Sequence, residues 1–177
     1  MHPPAPITLR TEDLLRHLDD LRTGTYEGVA GRRAREDAYR RGVELAGPVA
    51  LAVLRAAAEA FLGGDGETRS VGPEDDGSGG LEASFELSWA VQRAARARRG
   101  PDRPLEPVRI VVRFRRDFLH PHLSGTALGD WPFQVTSTAD AERQAPVFAA
   151  IVEAELHQRV YEGGWRVLPV AERLGPG

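Results

Sequence analysis

Two segments of alternating polarity, residues 81–92 (LEASFELSWAVQ) and 108–118 (VRIVVRFRRDF), leave this chain few folds to choose from. Successive side chains of a strand point to opposite faces. In the first segment Leu81, Ala83, Phe85, Leu87, Trp89 and Val91 fall on one side, and Glu82, Ser84, Glu86, Ser88 and Gln92 on the other. In the second, Val108, Ile110, Val112 and Phe114 oppose Arg109, Arg113 and Arg115, with Val111 the apolar exception. This is the pattern of antiparallel strands with one wet face. The polar sides are complementary, glutamates on one arm and arginines on the other, and such cross-strand pairs contribute about 0.2–1 kcal/mol each.

Helical signals bracket this ribbon. Thr11 reads as an N-cap with Glu12 and Asp13 in the first turn, Leu14, Leu15, Leu18 and Leu21 form one stripe, and Gly24 ends the helix. His17 lies beside the stripe as a boundary residue. Residues 31–46 read as a charged amphipathic helix that Gly47-Pro48 breaks or kinks. Residues 48–62 are apolar almost all round, so that helix is expected to be buried across Phe85, Leu87, Trp89, Ile110 and Val112. Near the C-terminus, Thr136, Ser137 and Thr138 offer a cap, and Pro146 suits the first turn of a helix whose stripe is Val147, Phe148, Ile151, Val152, Leu156 and Val160. Residues 131–135 and 165–170 read as short strands, with Pro132 suited to an edge.

The expectation is one α+β domain over residues 1–177: an antiparallel sheet of about four strands, an N-terminal helical pair, and a C-terminal helix packed on one face. Residues 1–10 are expected as an extended arm, 63–80 as a flexible acidic Gly-rich loop and 171–177 as a loose tail.

Composition removes several chemistries. There is no cysteine, hence no disulfide framework or thiolate, which fits a cytoplasmic protein. All 23 basic residues are arginine, so no lysine is present for a Schiff base or a phosphate loop. The N-terminus lacks the pattern of a signal peptide, and the longest apolar window is too short for a membrane span. Net charge is −3, so specific nucleic-acid recognition is not expected of the chain as a whole. The charge is segregated, however. Residues 65–86 carry seven acids and one arginine, and residues 93–116 carry nine arginines and two acids.

The leading functional reading is therefore a non-enzymatic binding or assembly module. A protein or polyanionic partner would meet Arg96, Arg98, Arg99 and Arg103 of the loop between the strands, and the strand face of Arg109, Arg113 and Arg115. Self-association through an exposed sheet edge is open to such a fold. The alternative is a small metal-dependent or acid–base enzyme. His120-Pro121-His122, if extended, presents two imidazoles to one side, and Glu153 and His157 lie four apart on one helix face. His120, His122, Glu153 and His157 together would suit zinc or non-haem iron. No cofactor is identified, since nucleotide-binding glycine loops and a G-x-S-x-G elbow are absent.

Overall fold

The structure is a computed structural model that describes residues 10–98, 100–126 and 129–174, the side chains of 172–174 excepted. Helix α1 (Thr11–Thr23) and helix α2 (Arg32–Leu62) lead into strands β1 (Glu67–Asp75) and β2 (Leu81–Ser88). A short helix α3 (Ala90–Ala94), strands β3 (Val108–Phe114), β4 (His122–Ser124) and β5 (Trp131–Pro132), and helix α4 (Thr138–Gly163) follow, with two 3-10 turns at the end. The five strands form one antiparallel sheet in sequence order, so the fold is α+β.

The ribbon is as the alternation predicts. β2 pairs with β3 from Leu81 opposite Phe114 to Leu87 opposite Val108. Their apolar sides form the core with α2 and α4, which also pack on each other. Tyr39 of α2 donates from its buried hydroxyl to the Val112 carbonyl at 2.8 Å. The β2 face runs one residue further than the strand: Trp89 is buried and its Nε1 donates to the Val167 carbonyl at 2.7 Å. The chain then turns into α3, which leaves Val91 exposed rather than in the core.

Several expectations change. Gly47-Pro48 does not break the second helix: α2 runs unbroken through 31 residues. An internal proline loses one backbone hydrogen bond and costs about 3 kcal/mol. Burial of Val43, Ala46, Ala50, Leu54, Ala57 and Leu62 along one face outweighs that cost. Gly42 rather than Gly47 marks the close approach on α2: a Cβ at Gly42 would lie 2.8 Å from the Val135 carbonyl, whereas one at Gly47 would make ordinary contact with the Phe85 ring at 3.6 Å. By length and composition α2 is also apolar enough to cross a membrane, and here its apolar side lies on the sheet. Pro146 likewise sits inside α4, which starts eight residues earlier than the proline, at a cap where Asp140 N donates to Ser137 Oγ.

Residues 63–80 are not one loop. They contain β1, which gives the sheet a fifth strand, flanked by a short turn at residues 63–66 and by an irregular hairpin turn held by Asp76 accepting from the Ser78 and Gly80 amides. β1 is an edge strand exposed along most of its length, so it carries none of the apolar alternation that marks its neighbours. Residues 165–170 form 3-10 turns instead of a strand. Of the expected arm and tail, residues 1–9 and 175–177 lie outside the described residues.

The C-terminal half is pinned by a buried charge cluster. Arg159 is almost fully buried. Its guanidinium donates to Glu155 at 2.8 Å, to Glu162 at 3.1 Å and to the Pro107 carbonyl at 3.3 Å. Glu155 also accepts from the Thr126 amide at 2.6 Å, which ties α4 to the chain leaving β4. Removing one member of a buried pair strands its partner, whereas removing both does not. Glu155→Ala is therefore expected to lower unfolding free energy by about 3–5 kcal/mol, and Glu155→Leu with Arg159→Met to recover most of it, since Glu162 keeps Arg103 and Gln158. Urea denaturation of the two variants checks this, and equal losses in both would refute it.

Candidate functional site

The arginines of the sequence reading separate into two groups. On the sheet, Arg109 pairs with Glu86 at 2.9 Å and Arg113 with Glu82 at 2.9 Å. Glu86 is shared with Arg69 of β1 at 2.7 Å. The neighbouring recess of about 240 Å³ is lined by Glu74, Asp75, Asp76 and Glu82 beside Arg109. The strand face is thus neutralised by its own glutamates and flanked by acids. Arg115 lies past the end of β3, exposed, with its guanidinium 5.4 Å from the Phe118 ring.

The loop arginines differ. Arg103 is held by Glu162 at 2.9 Å. Arg99 lies outside the described residues. Arg96 and Arg98 are exposed and, among the described residues, have no carboxylate partner. The loop doubles back on itself, Arg96 bridging to Pro104 and Ala97 N donating to the Arg103 carbonyl at 2.9 Å. Arg98 N then donates to the Glu162 carbonyl at 2.8 Å, which seats the loop on the end of α4. Gly164 lies beside this contact: its φ of 87° favours glycine, and a Cβ there would push aside the Arg98 guanidinium, 2.6 Å away.

Here the fold assembles something the linear sequence does not display. Arg98, Trp165 and Arg166 line one recess of about 190 Å³. Trp165 is 44% exposed, and the Arg166 guanidinium sits 5.1 Å from its ring. An aromatic surface flanked by cations free of carboxylates can stack a planar ring and hold an anion beside it. Sequence reasoning missed Trp165 and Arg166 because 67 positions separate Trp165 from Arg98, and residues 165–170 read as a strand.

The histidines form a second cluster. His120 is 1% exposed, and its ring lies 5.1 Å from that of His122 and 4.1 Å from that of His17 on α1. His17 is 6.2 Å from His122, and Tyr26 stacks on His120 with ring centroids 6.1 Å apart. His120 Nδ1 donates to the Pro121 carbonyl at 3.2 Å, which leaves Nε2 as a buried acceptor without a partner. Nδ1 of His17 and of His122 are also buried and unpartnered. The third member is therefore His17, which the sequence reading placed beside the leucine stripe of α1 as a boundary residue. Glu153 and His157 do not join: they lie on the exposed side of α4, opposite the side that carries Ile151 and Glu155. Among the described residues no group of three or more His, Asp or Glu side chains is arranged to hold a metal ion, so the set His120, His122, Glu153 and His157 is not assembled as a metal centre.

Burial lowers the pKa of all three histidines, and their mutual repulsion lowers it further. Arg35 adds to this at His120 and Arg115 at His122, while Asp20 and Asp130 work in the opposite direction. The folded cluster is neutral where an unfolded chain already takes up protons, near pH 6.5. The stability it supports is present above that pH and lost as pH falls through and below it. Unfolding free energy is expected to hold between pH 7 and 8 and to drop toward pH 5, more shallowly in His120→Phe. Denaturation at a series of pH values checks this, and the same slope in both proteins would exclude the cluster as its source.

Comparison with protein-family models, curated proteins and solved structures finds no match for this chain.

Proposed function

We propose that this chain is a non-enzymatic binding module for an anionic partner in which planar rings alternate with phosphates, namely single-stranded nucleic acid, contacted without regard to sequence. The observation that carries the reading is the recess where Trp165 and Arg166 meet Arg98. Arg96 extends the same basic loop. Stacking on an exposed aromatic is worth about 1–3 kcal/mol per base and tolerates any base. Cations without carboxylate partners give the salt-dependent share by releasing counterions from the phosphates. The strand face contributes little to such a contact, since Arg109 and Arg113 already hold glutamates. A partner with charge but no rings, such as heparin, would meet the arginines without using Trp165.

The test is fluorescence anisotropy of a labelled oligothymidylate at low salt, with heparin and inorganic phosphate as competitors. Trp165→Ala is expected to weaken binding by about tenfold or more. Arg98→Ala and Arg166→Ala are each expected to weaken it and to lower the salt slope by about one contact. Heparin bound as tightly as the oligonucleotide, with no effect of Trp165→Ala, would reduce the site to a charge patch and end this reading.

A further inference from the structure

Trp165 and Arg166 stand on a turn with little to hold it from within. Residues Trp165–Val167 form a single 3-10 turn, in which Val167 N donates to the Gly164 carbonyl at 3.1 Å and Leu168 N to the Trp165 carbonyl at 3.3 Å. Short 3-10 turns have poor hydrogen-bond geometry and little stability of their own. The Trp165 indole, 44% exposed, has no core around it to fix its direction, so the ring points where the backbone of the turn points it. Two contacts seat that backbone. The Val167 side chain is buried in the core. Its carbonyl, away from water, accepts from Nε1 of Trp89 at 2.7 Å. Trp89 is itself buried, one residue past the end of β2, so this hydrogen bond ties the turn to the central ribbon.

The cation across the recess is held separately. Arg98 N donates to the Glu162 carbonyl at 2.8 Å and Ala97 N to the Arg103 carbonyl at 2.9 Å, and neither bond involves Trp89. One half of the recess, Arg98, is thus carried by the loop on the end of α4, and the other half, Trp165 and Arg166, by the turn. We infer that Trp89 is a positioning residue for the anion site: its indole N–H, through the Val167 carbonyl, holds Trp165 and Arg166 beside Arg98, so that a ring can stack while its phosphate meets the cations. Being buried, Trp89 reaches no ligand itself. An indole has one hydrogen-bonding atom, a donor. A ring without it would take the partner from a buried carbonyl, a loss that folded chains relieve by exposing the carbonyl to water. Here that movement lifts the turn and carries Trp165 and Arg166 away from Arg98. The inference rests on the reading of Arg98, Trp165 and Arg166 as a site for single-stranded nucleic acid.

Two changes in the full chain remove the donor: Trp89→Phe, and replacement of Trp89 by benzothienylalanine, which keeps the fused-ring shape and lacks the N–H. Where Trp89→Phe fails to fold by circular dichroism, the benzothienylalanine protein decides alone. Hydrogen exchange is expected to speed up at residues 165–168 and to stay unchanged in β2 and β3. In anisotropy with labelled oligothymidylate, each change is expected to weaken binding by roughly three- to tenfold. Made in a protein that already carries Trp165→Ala and Arg166→Ala, the same change is expected to have no further effect, because Trp89 acts only through the turn. A general loosening of the fold would weaken binding in both backgrounds, since it would also move the loop arginines. Full binding in the benzothienylalanine protein, unchanged exchange at the turn, or an equal further loss in the Trp165→Ala, Arg166→Ala background would each overturn the positioning role and leave the site itself standing. Binding indifferent to Trp165→Ala would instead end the site reading, and the role of Trp89 with it.

Discussion

Arg159 carries a charge that water cannot reach, and the C-terminal half of the fold is arranged to satisfy it. Taking an ion out of water costs several kcal/mol even after relaxation, so a buried guanidinium persists only where carboxylates and carbonyls surround it. Glu155 and Glu162 supply the carboxylates from the same helix, one turn on either side, and Pro107 supplies a carbonyl from the foot of β3. Each of those groups then holds something further. Glu155 takes the Thr126 amide, and Glu162 takes Arg103 and Gln158. Burial alone would raise the Glu162 carboxyl, but Gln158, Arg159 and Arg103 together keep it below the usual carboxylate range. The charge thus fixes the loop between α3 and β3 on the end of α4, and Arg98 meets Trp165 as a consequence.

The same logic of pairing decides which arginines are left for a partner. On the sheet, register places Arg109 opposite Glu86 and Arg113 opposite Glu82, and the ion pairs follow from that geometry. Outside the sheet, Arg96, Arg98 and Arg166 have no carboxylate partner among the described residues, so they keep their charge available to solvent. Net charge of −3 therefore says little about any one surface. The acids are concentrated beside β1 and β2, and the open cations gather where the loop folds over Gly164.

What the sequence displays is local periodicity, and the parts of the fold that rest on it are legible. The β2–β3 ribbon, its register of Glu82 and Glu86 against arginine, the Ser137 cap and the stripe of α4 all follow from spacing. β1 is not legible, because an edge strand wet on both faces has no apolar period to read. The unbroken α2 is not legible either, since a proline penalty is local while the burial that outweighs it is spread over seven turns of helix. The candidate sites are the least legible. His17 and His120 are 103 positions apart, and nothing in the spacing of either histidine announces the other. Two of the four residues proposed for a metal, His120 and His122, do lie together, with their rings stacked 5.1 Å apart. Glu153 and His157 face away because the other side of α4 is taken by the core.

Helix α1 shows where periodicity runs out altogether. The stripe of Leu14, Leu18 and Leu21 establishes that the helix has two unlike faces, but not which one turns inward. Burying a leucine fully is worth about 1.5–3 kcal/mol, so turning the stripe inward would gain several kcal/mol from four half-exposed side chains. The fold forgoes that gain and instead satisfies Arg16, Asp20 and Asp140 at close range. Burial would raise the Asp140 carboxyl, yet hydrogen bonds from Thr136 and the charge of Arg16 hold it far below its ordinary value, so this inner face is committed to its ions. A helix so fastened cannot rotate to hide its leucines without stranding those charges.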